Sequence, residues 1–143
     1  MPGIDECLLE VMRLPGAHGA ALVDWTSGLA LGTIGDSPSG DHEATAAETA
    51  ELARMAAEQP VFALLPGPDP APTRPLSRTL TPPPRPPVED VIVTTRTGYH
   101  ILRFIETAFD SSVFLHLWLD RAEGNLALAR IRLGEIADRL VLA

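Results

Sequence analysis

Between Pro60 and Pro87 the chain carries eleven of its fourteen prolines, including the runs Pro82-Pro83-Pro84 and Pro86-Pro87. Proline has no amide hydrogen to donate and its ring fixes φ, so such a stretch can be neither a helix interior nor a central strand. The core must therefore be built by the segments on either side. The expectation is one domain over 1–143, with 60–87 an extended, largely unpaired surface insertion, in part polyproline II. Val61-Phe62-Ala63-Leu64-Leu65 is the exception, apolar enough to tuck back onto the body. By composition the insertion reads as a solvated linker ahead of a ligand for an aromatic groove.

Ahead of the insertion, Ile4, Leu8, Val11 and Met12 recur at helical spacing opposite Asp5, Glu6, Glu10 and Arg13, and Pro15-Gly16 ends that helix. Ala17 to Trp25 alternates as a strand, with Ala21, Val23 and Trp25 on one face and His18, Leu22 and Asp24 on the other. Thr26-Ser27-Gly28 turns the chain, and Gly28 to Ile34 returns antiparallel. From Asp41, a good N-cap, an alanine- and glutamate-rich helix runs to about Gln59.

After the insertion, Val88 to Thr95 and Tyr99 to Glu106 form a hairpin about Arg96-Thr97-Gly98. A loop at 107–111 leads to Val113–Leu119, apolar on both faces and so in need of cover on both. A helix from about Arg121 to Leu142 closes the chain, with Leu126, Ala129, Leu133, Ile136 and Leu140 along one stripe. The expected fold is α+β, in the order α-β-β-α-β-β-β-α, with one five-stranded antiparallel sheet. The free edges of such a sheet call for a cover, which dimerisation supplies most simply.

Several chemistries are excluded. A net charge of -8 and a pI near 4.8 oppose binding to nucleic-acid phosphates. Every basic residue is arginine, so there is no lysine for a Schiff base or a phosphate loop, and Gly16-Ala17-His18-Gly19 lacks the glycines of one. Cys7 has no second cysteine and sits in an apolar pattern, the position of a buried hydrophobe. Asp41-His42-Glu43 point about 100° apart on a helix and cannot converge on one ion. His18, His100 and His116 fall on strands with no nucleophile elbow in the sequence. The reading is a protein without catalytic residues, metal or cofactor, not an enzyme. No run approaches the roughly 20 apolar residues of a membrane span and no basic stretch opens the chain, so membrane insertion is not expected and the cytoplasm is.

Local sequence and element order together resemble the roadblock/dynein light-chain (roadblock/LC7) family in its bacterial, actinobacterial-type form. The resemblance rests on Leu14-Pro15-Gly16-Ala17-His18-Gly19-Ala20-Ala21-Leu22-Val23-Asp24 followed by Gly28-Leu29-Ala30-Leu31, and on the alanine-rich helix at 41–59. It rests equally on Asp90-Val91-Ile92-Val93-Thr94-Thr95 through Gly98-Tyr99-His100-Ile101-Leu102-Arg103, and on Leu117-Trp118-Leu119-Asp120-Arg121 with Asn125-Leu126-Ala127-Leu128-Ala129. The resemblance implies a homodimer whose sheets join edge to edge. It also implies a regulatory or scaffolding role toward a Ras-like small GTPase, with a sensor kinase-like protein as a further partner. The alternative is a structural adaptor subunit that leaves nucleotide turnover unchanged. The insertion departs from the compact family pattern.

For partner contacts the sequence offers Ala47 and Ala50, whose small side chains admit close approach, the neighbouring Arg54, and the aromatic anchors Trp25 and Trp118. Ordinary core positions are an equal reading for the two tryptophans. Arg54, Arg96 and Arg103 could offer a guanidinium to a GTPase, although solvated charge is the preferred reading for all three.

Overall fold

Residues 3–63, 87–105 and 112–140 are described by the computed structural model. The expectations for Leu64 and Leu65, for the rest of the proline-rich run to Pro86, for the loop at 107–111, and for the helix beyond Leu140 lie outside them. The elements are α1 (Ile4–Val11), β1 (Ala17–Asp24), β2 (Leu29–Gly35), α2 (His42–Glu58), a single 3₁₀ turn (Pro60–Phe62), β3 (Asp90–Thr94), β4 (Gly98–Ile105), β5 (Val113–Asp120) and α3 (Leu126–Arg139). Apart from the short turn, this is the order read from the sequence. The strands form one antiparallel sheet in the order β2-β1-β5-β4-β3.

Side-chain alternation divides the sheet into two apolar faces. Leu22, Ile101, Ile105, Val113, Leu115, Leu117 and Leu119 point to one, which α1 covers with Leu8 and Val11, and α3 with Ala129, Leu133 and Ile136. Val23, Leu102, Phe104 and Phe114 point to the other, which α2 covers with Ala46, Ala50 and Ala53. Central β5 is buried on both faces, as its uninterrupted apolar run required. Cys7 is 4% exposed inside the first layer, the place of a small hydrophobe.

The Pro15-Gly16 step does more than stop α1. Gly16 takes φ 79°, and its carbonyl accepts a 2.7 Å hydrogen bond from the Asp120 amide at the end of β5. A Cβ there would come 2.7 Å from the Gly124 nitrogen, so only glycine lets the two chain ends of the sheet close on each other. Gly19 is tighter still, with room for no Cβ against the Asp36 carbonyl where β1 and β2 meet.

The helices are capped by their own sequence. The Asp41 carboxylate accepts from the Glu43 amide at 2.9 Å and starts α2, as expected. The last helix starts five residues later than the sequence reading placed it. The Asp120 carboxylate first accepts from the Ala122 and Glu123 amides, closing a turn, and only after Gly124 does Asn125 cap α3 through the Leu128 amide at 3.0 Å. Short-range side-chain bonds here compete with the helix, and the apolar stripe alone could not reveal them.

The sign of one substitution separates the two starts. Asn125→Ala removes a cap and is expected to lower stability by about 1 kcal/mol in urea unfolding. Were residue 125 inside a helix begun at Arg121, the same change would raise stability by about 0.5 kcal/mol.

Candidate functional site

α2 crosses the sheet from β2 toward β3. It can lie close because the residues beneath it, Ala46, Ala50, Ala53 and Ala57, are small. Ala50 is 2% exposed and belongs to the protomer's own core. As a position for touching a partner it is therefore corrected: the alanine face is spent on the sheet of the same chain. Ala47, one turn from it on the outer side, is exposed and lies beside the Gly28 turn.

The larger apolar residues of α2 point elsewhere. Leu52 and Met55 stand 36% and 60% exposed on the flank toward β3, and Phe62 of the 3₁₀ turn is 51% exposed beside them. Together with Pro87, Val88 and Val91 they line an apolar groove of about 620 Å³. The groove runs along β3, which with β2 is one of the two edge strands and whose far side pairs with no strand among the described residues. The expected tucking-back of the insertion's first residues is met in part: Phe62 lines this groove, while Val61 is 78% exposed. The signal for the groove was in the sequence, since Leu52 and Met55 share a helical flank away from the alanine stripe.

On the same face, from β4 across β5 to β1, stand polar rings. His100 and Trp118 are cross-strand partners on β4 and β5, their rings parallel within 3° at 6.2 Å. His18 is the extra residue of a bulge in β1 opposite β5 and lies 4.6 Å from the Trp118 ring. Its Nε2 is 3.5 Å from the Asp120 carboxylate. His116, 3% exposed, shares a 3.0 Å hydrogen bond between its Nε2 and His100 Nδ1. His42 Nε2 donates to the Gly35 carbonyl at 3.0 Å, and with His116, Trp118 and Thr45 it lines a small recess under the start of α2. All four histidines of the chain thus meet at one corner. Strand parity alone placed His116 and Trp118 on one face; the addition of His18 needed the bulge, which the sequence does not announce.

Burial sets the charge state of this corner. The His116 imidazole is pushed down to about 3, by desolvation first and then by the neighbouring His100 and His42. Burial lowers His100 as well. Both are neutral near pH 7, and one imidazole donates to the other. Among the described residues no group of three or more His, Cys, Asp or Glu side chains is placed to hold a metal ion.

The remaining candidates are dispersed. Arg54 Nη1 donates to the Trp25 carbonyl at 3.4 Å, so these two meet at the β1–β2 end of α2, remote in sequence and strand position from Trp118. Arg103 lies under α3, its guanidinium beside Gly134 and facing the Asp90 carboxylate at 3.9 Å, which Arg130 also holds at 2.7 Å. A side chain held in that way is not free to enter another protein's active site. Arg96 is exposed in the β3–β4 turn.

The histidine corner makes stability depend on pH with a definite sign. An unfolded histidine titrates near 6.5 and the folded His116 far lower, so below pH 6.5 the unfolded chain takes up a proton that the folded chain refuses. Stability is complete above about pH 6.5 and falls as the pH drops toward 3. Between pH 7.5 and 5.5 the protein is expected to lose about 1.4 kcal/mol more in urea unfolding than a His116→Gln variant. Equal losses would place the titrating group elsewhere.

The architecture has solved counterparts. MglB of Myxococcus xanthus superposes with a TM-score of 0.62 at 16% identity, over 90% of this chain and 77% of the other. A roadblock/LC7 domain from Streptomyces avermitilis gives 0.65 at 14% identity, over 96% and 93%. The gliding protein MglB of Thermus thermophilus gives 0.62 at 16%, over 94% and 82%. No protein-family model and no curated protein matches the chain. No helix among the described residues is long and apolar enough to cross a membrane. At such identities the likeness speaks for architecture, and with element order, sheet order and coverage in agreement, the chain has the roadblock/LC7 fold.

Proposed function

We propose that this protein is a non-enzymatic, homodimeric regulator or scaffold of a Ras-like small GTPase, acting in a cytoplasmic signalling complex. The observation that carries the reading is the edge of β3, unpaired among the described residues, beside the apolar groove of Leu52, Met55 and Phe62. An unpaired edge next to exposed apolar side chains is a liability for a lone protomer and an asset for one that pairs. A second copy supplies both a strand for the edge and an apolar wall for the groove. The GTPase role is supported by the resemblance to roadblock proteins and by the likeness in fold to MglB. A sensor kinase-like protein is the further partner in this reading. Trp25, Arg54 and Ala47, where α2 passes the turn between β1 and β2, form the surface proposed for partner contacts away from the dimer seam.

Two measurements test the reading. Sedimentation velocity at micromolar concentration is expected to show a dimer. Met55→Glu, on a side chain already 60% exposed, is expected to weaken the dimer about tenfold or more while leaving the fold intact. A wild-type monomer under those conditions would remove the structural half of the proposal. For the functional half, the tagged protein is used to capture partners loaded with GDP or with a non-hydrolysable GTP analogue. Nucleotide-dependent recovery of a small GTPase supports regulation. Recovery of other subunits, indifferent to nucleotide and without effect on hydrolysis or exchange, makes the protein an adaptor instead.

A further inference from the structure

One member of the histidine corner, His100 on β4, stands a single strand from the edge of β3 that pairs with no strand among the described residues, and this position has a consequence for assembly. β3 is five residues long and centred on Ile92. If two copies pair antiparallel about that centre, Val91 of one stands opposite Val93 of the other, and directly opposed residues of an antiparallel pair share a face. Both valines belong to the face that α2 covers, since Val91 packs in the α2 layer and Val93 is two residues along the strand. The groove wall of one copy, Leu52, Met55 and Phe62, is thereby carried over Val93 of the other. The next positions inward on that row are His100, paired with Val93 across β3 and β4, and then Trp118.

His100 is therefore half-covered in one copy and comes under apolar cover in two. An imidazole accepts such cover while neutral, whereas an imidazolium must shed its water against carbon. The charged and titratable groups around it offer a proton little compensation. From β5 comes His116, bonded to His100 at 3.0 Å; from β1, His18, beyond the Trp118 ring; and from α2 and its leading loop, His42 and Asp36 around the recess beside Trp118. The Asp120 carboxylate is turned to His18 and to the amides of its own turn. The approaching groove wall has one charged member, Asp90, already held by Arg130 at 2.7 Å.

We propose that His100 lies at the margin of the homodimer seam and makes dimerisation proton-linked, the neutral ring admitting the second copy and the protonated ring loosening it. The proposal rests on the β3-edge dimer of the preceding section and adds its regulation. It requires that the dissociation constant rise with acidity and, by reciprocity, that His100 take its proton less readily as the protein concentration rises.

Sedimentation velocity is carried out on the full chain across a concentration series at pH 7.5 and pH 5.5, with circular dichroism confirming the fold at each pH. The dissociation constant is expected to rise about tenfold or more on acidification for the wild type, and to change much less for His100→Gln. In the same wild-type protein, the imidazole proton resonances of His100 are followed by NMR from pH 8 to pH 5 at concentrations below and above the dissociation constant. The midpoint is expected to fall at the higher concentration, a readout that needs no variant. A dimer at both pH values with one dissociation constant, an equal response in His100→Gln, or a midpoint indifferent to concentration would each overturn the proton linkage while leaving the dimer standing. A monomer at pH 7.5 would overturn the dimer itself.

Discussion

A strand apolar on both faces cannot lie on a surface, and β5 imposes that condition on everything around it. Phe114, Leu115, Leu117 and Leu119 are each at or near zero exposure. Fully burying a side chain of this size stabilises by roughly 1.5–3 kcal/mol relative to leaving it in water. One layer of helix can satisfy half of that demand. The chain meets it with α1 and α3 on one side and α2 on the other, and flanks β5 with β1 and β4 so that both of its backbone edges are paired. The crossing from β2 to β3 then has to pass over the face, and α2 is that crossing.

The two faces are covered unequally, and this is where a surface for function arises. α1 and α3 present Leu8, Val11, Leu133 and Ile136 to their side. α2 presents alanines, which lie close to the sheet but cover a narrow strip. What the strip leaves open is the groove at β3 on one flank and the His100–Trp118 row beyond it. A bulkier helix would have closed both, and with them the means of docking anything on this face. The alanine stripe is thus a core feature whose effect is to keep the neighbouring surface available.

Much of this could be read from the residues. Alternation in Ala17–Asp24 and the continuous apolar run of Val113–Asp120 identify two strands, the second of them central, and Asp41 announces α2. What escaped was set by contacts that sequence patterns do not encode. Asp120 and Asn125 fix the start of α3 through side-chain bonds to nearby amides, against a longer helical stripe. Ala50 reads alike for a helix lying on its own sheet and for one lying on a partner. Only the tertiary contact decides, and it assigns Ala50 inward and Leu52 with Met55 outward. The gathering of four histidines from β1, α2, β4 and β5 depends on strand register and a bulge, which are properties of the assembled sheet.

The histidine corner is unlike the rest of the interior in one respect. Buried polar groups are costly unless bonded, and the His100–His116 hydrogen bond meets that requirement only while the pair carries a single shared proton between the two facing nitrogens. A leucine at 116 would fill comparable space with no such condition. An imidazole there ties the packing of the α2 layer to proton activity, on the central strand of the sheet and on the face opposite α1 and α3. The stability lost on acidification then answers to His116, which is bonded to His100 on the strand next to β3.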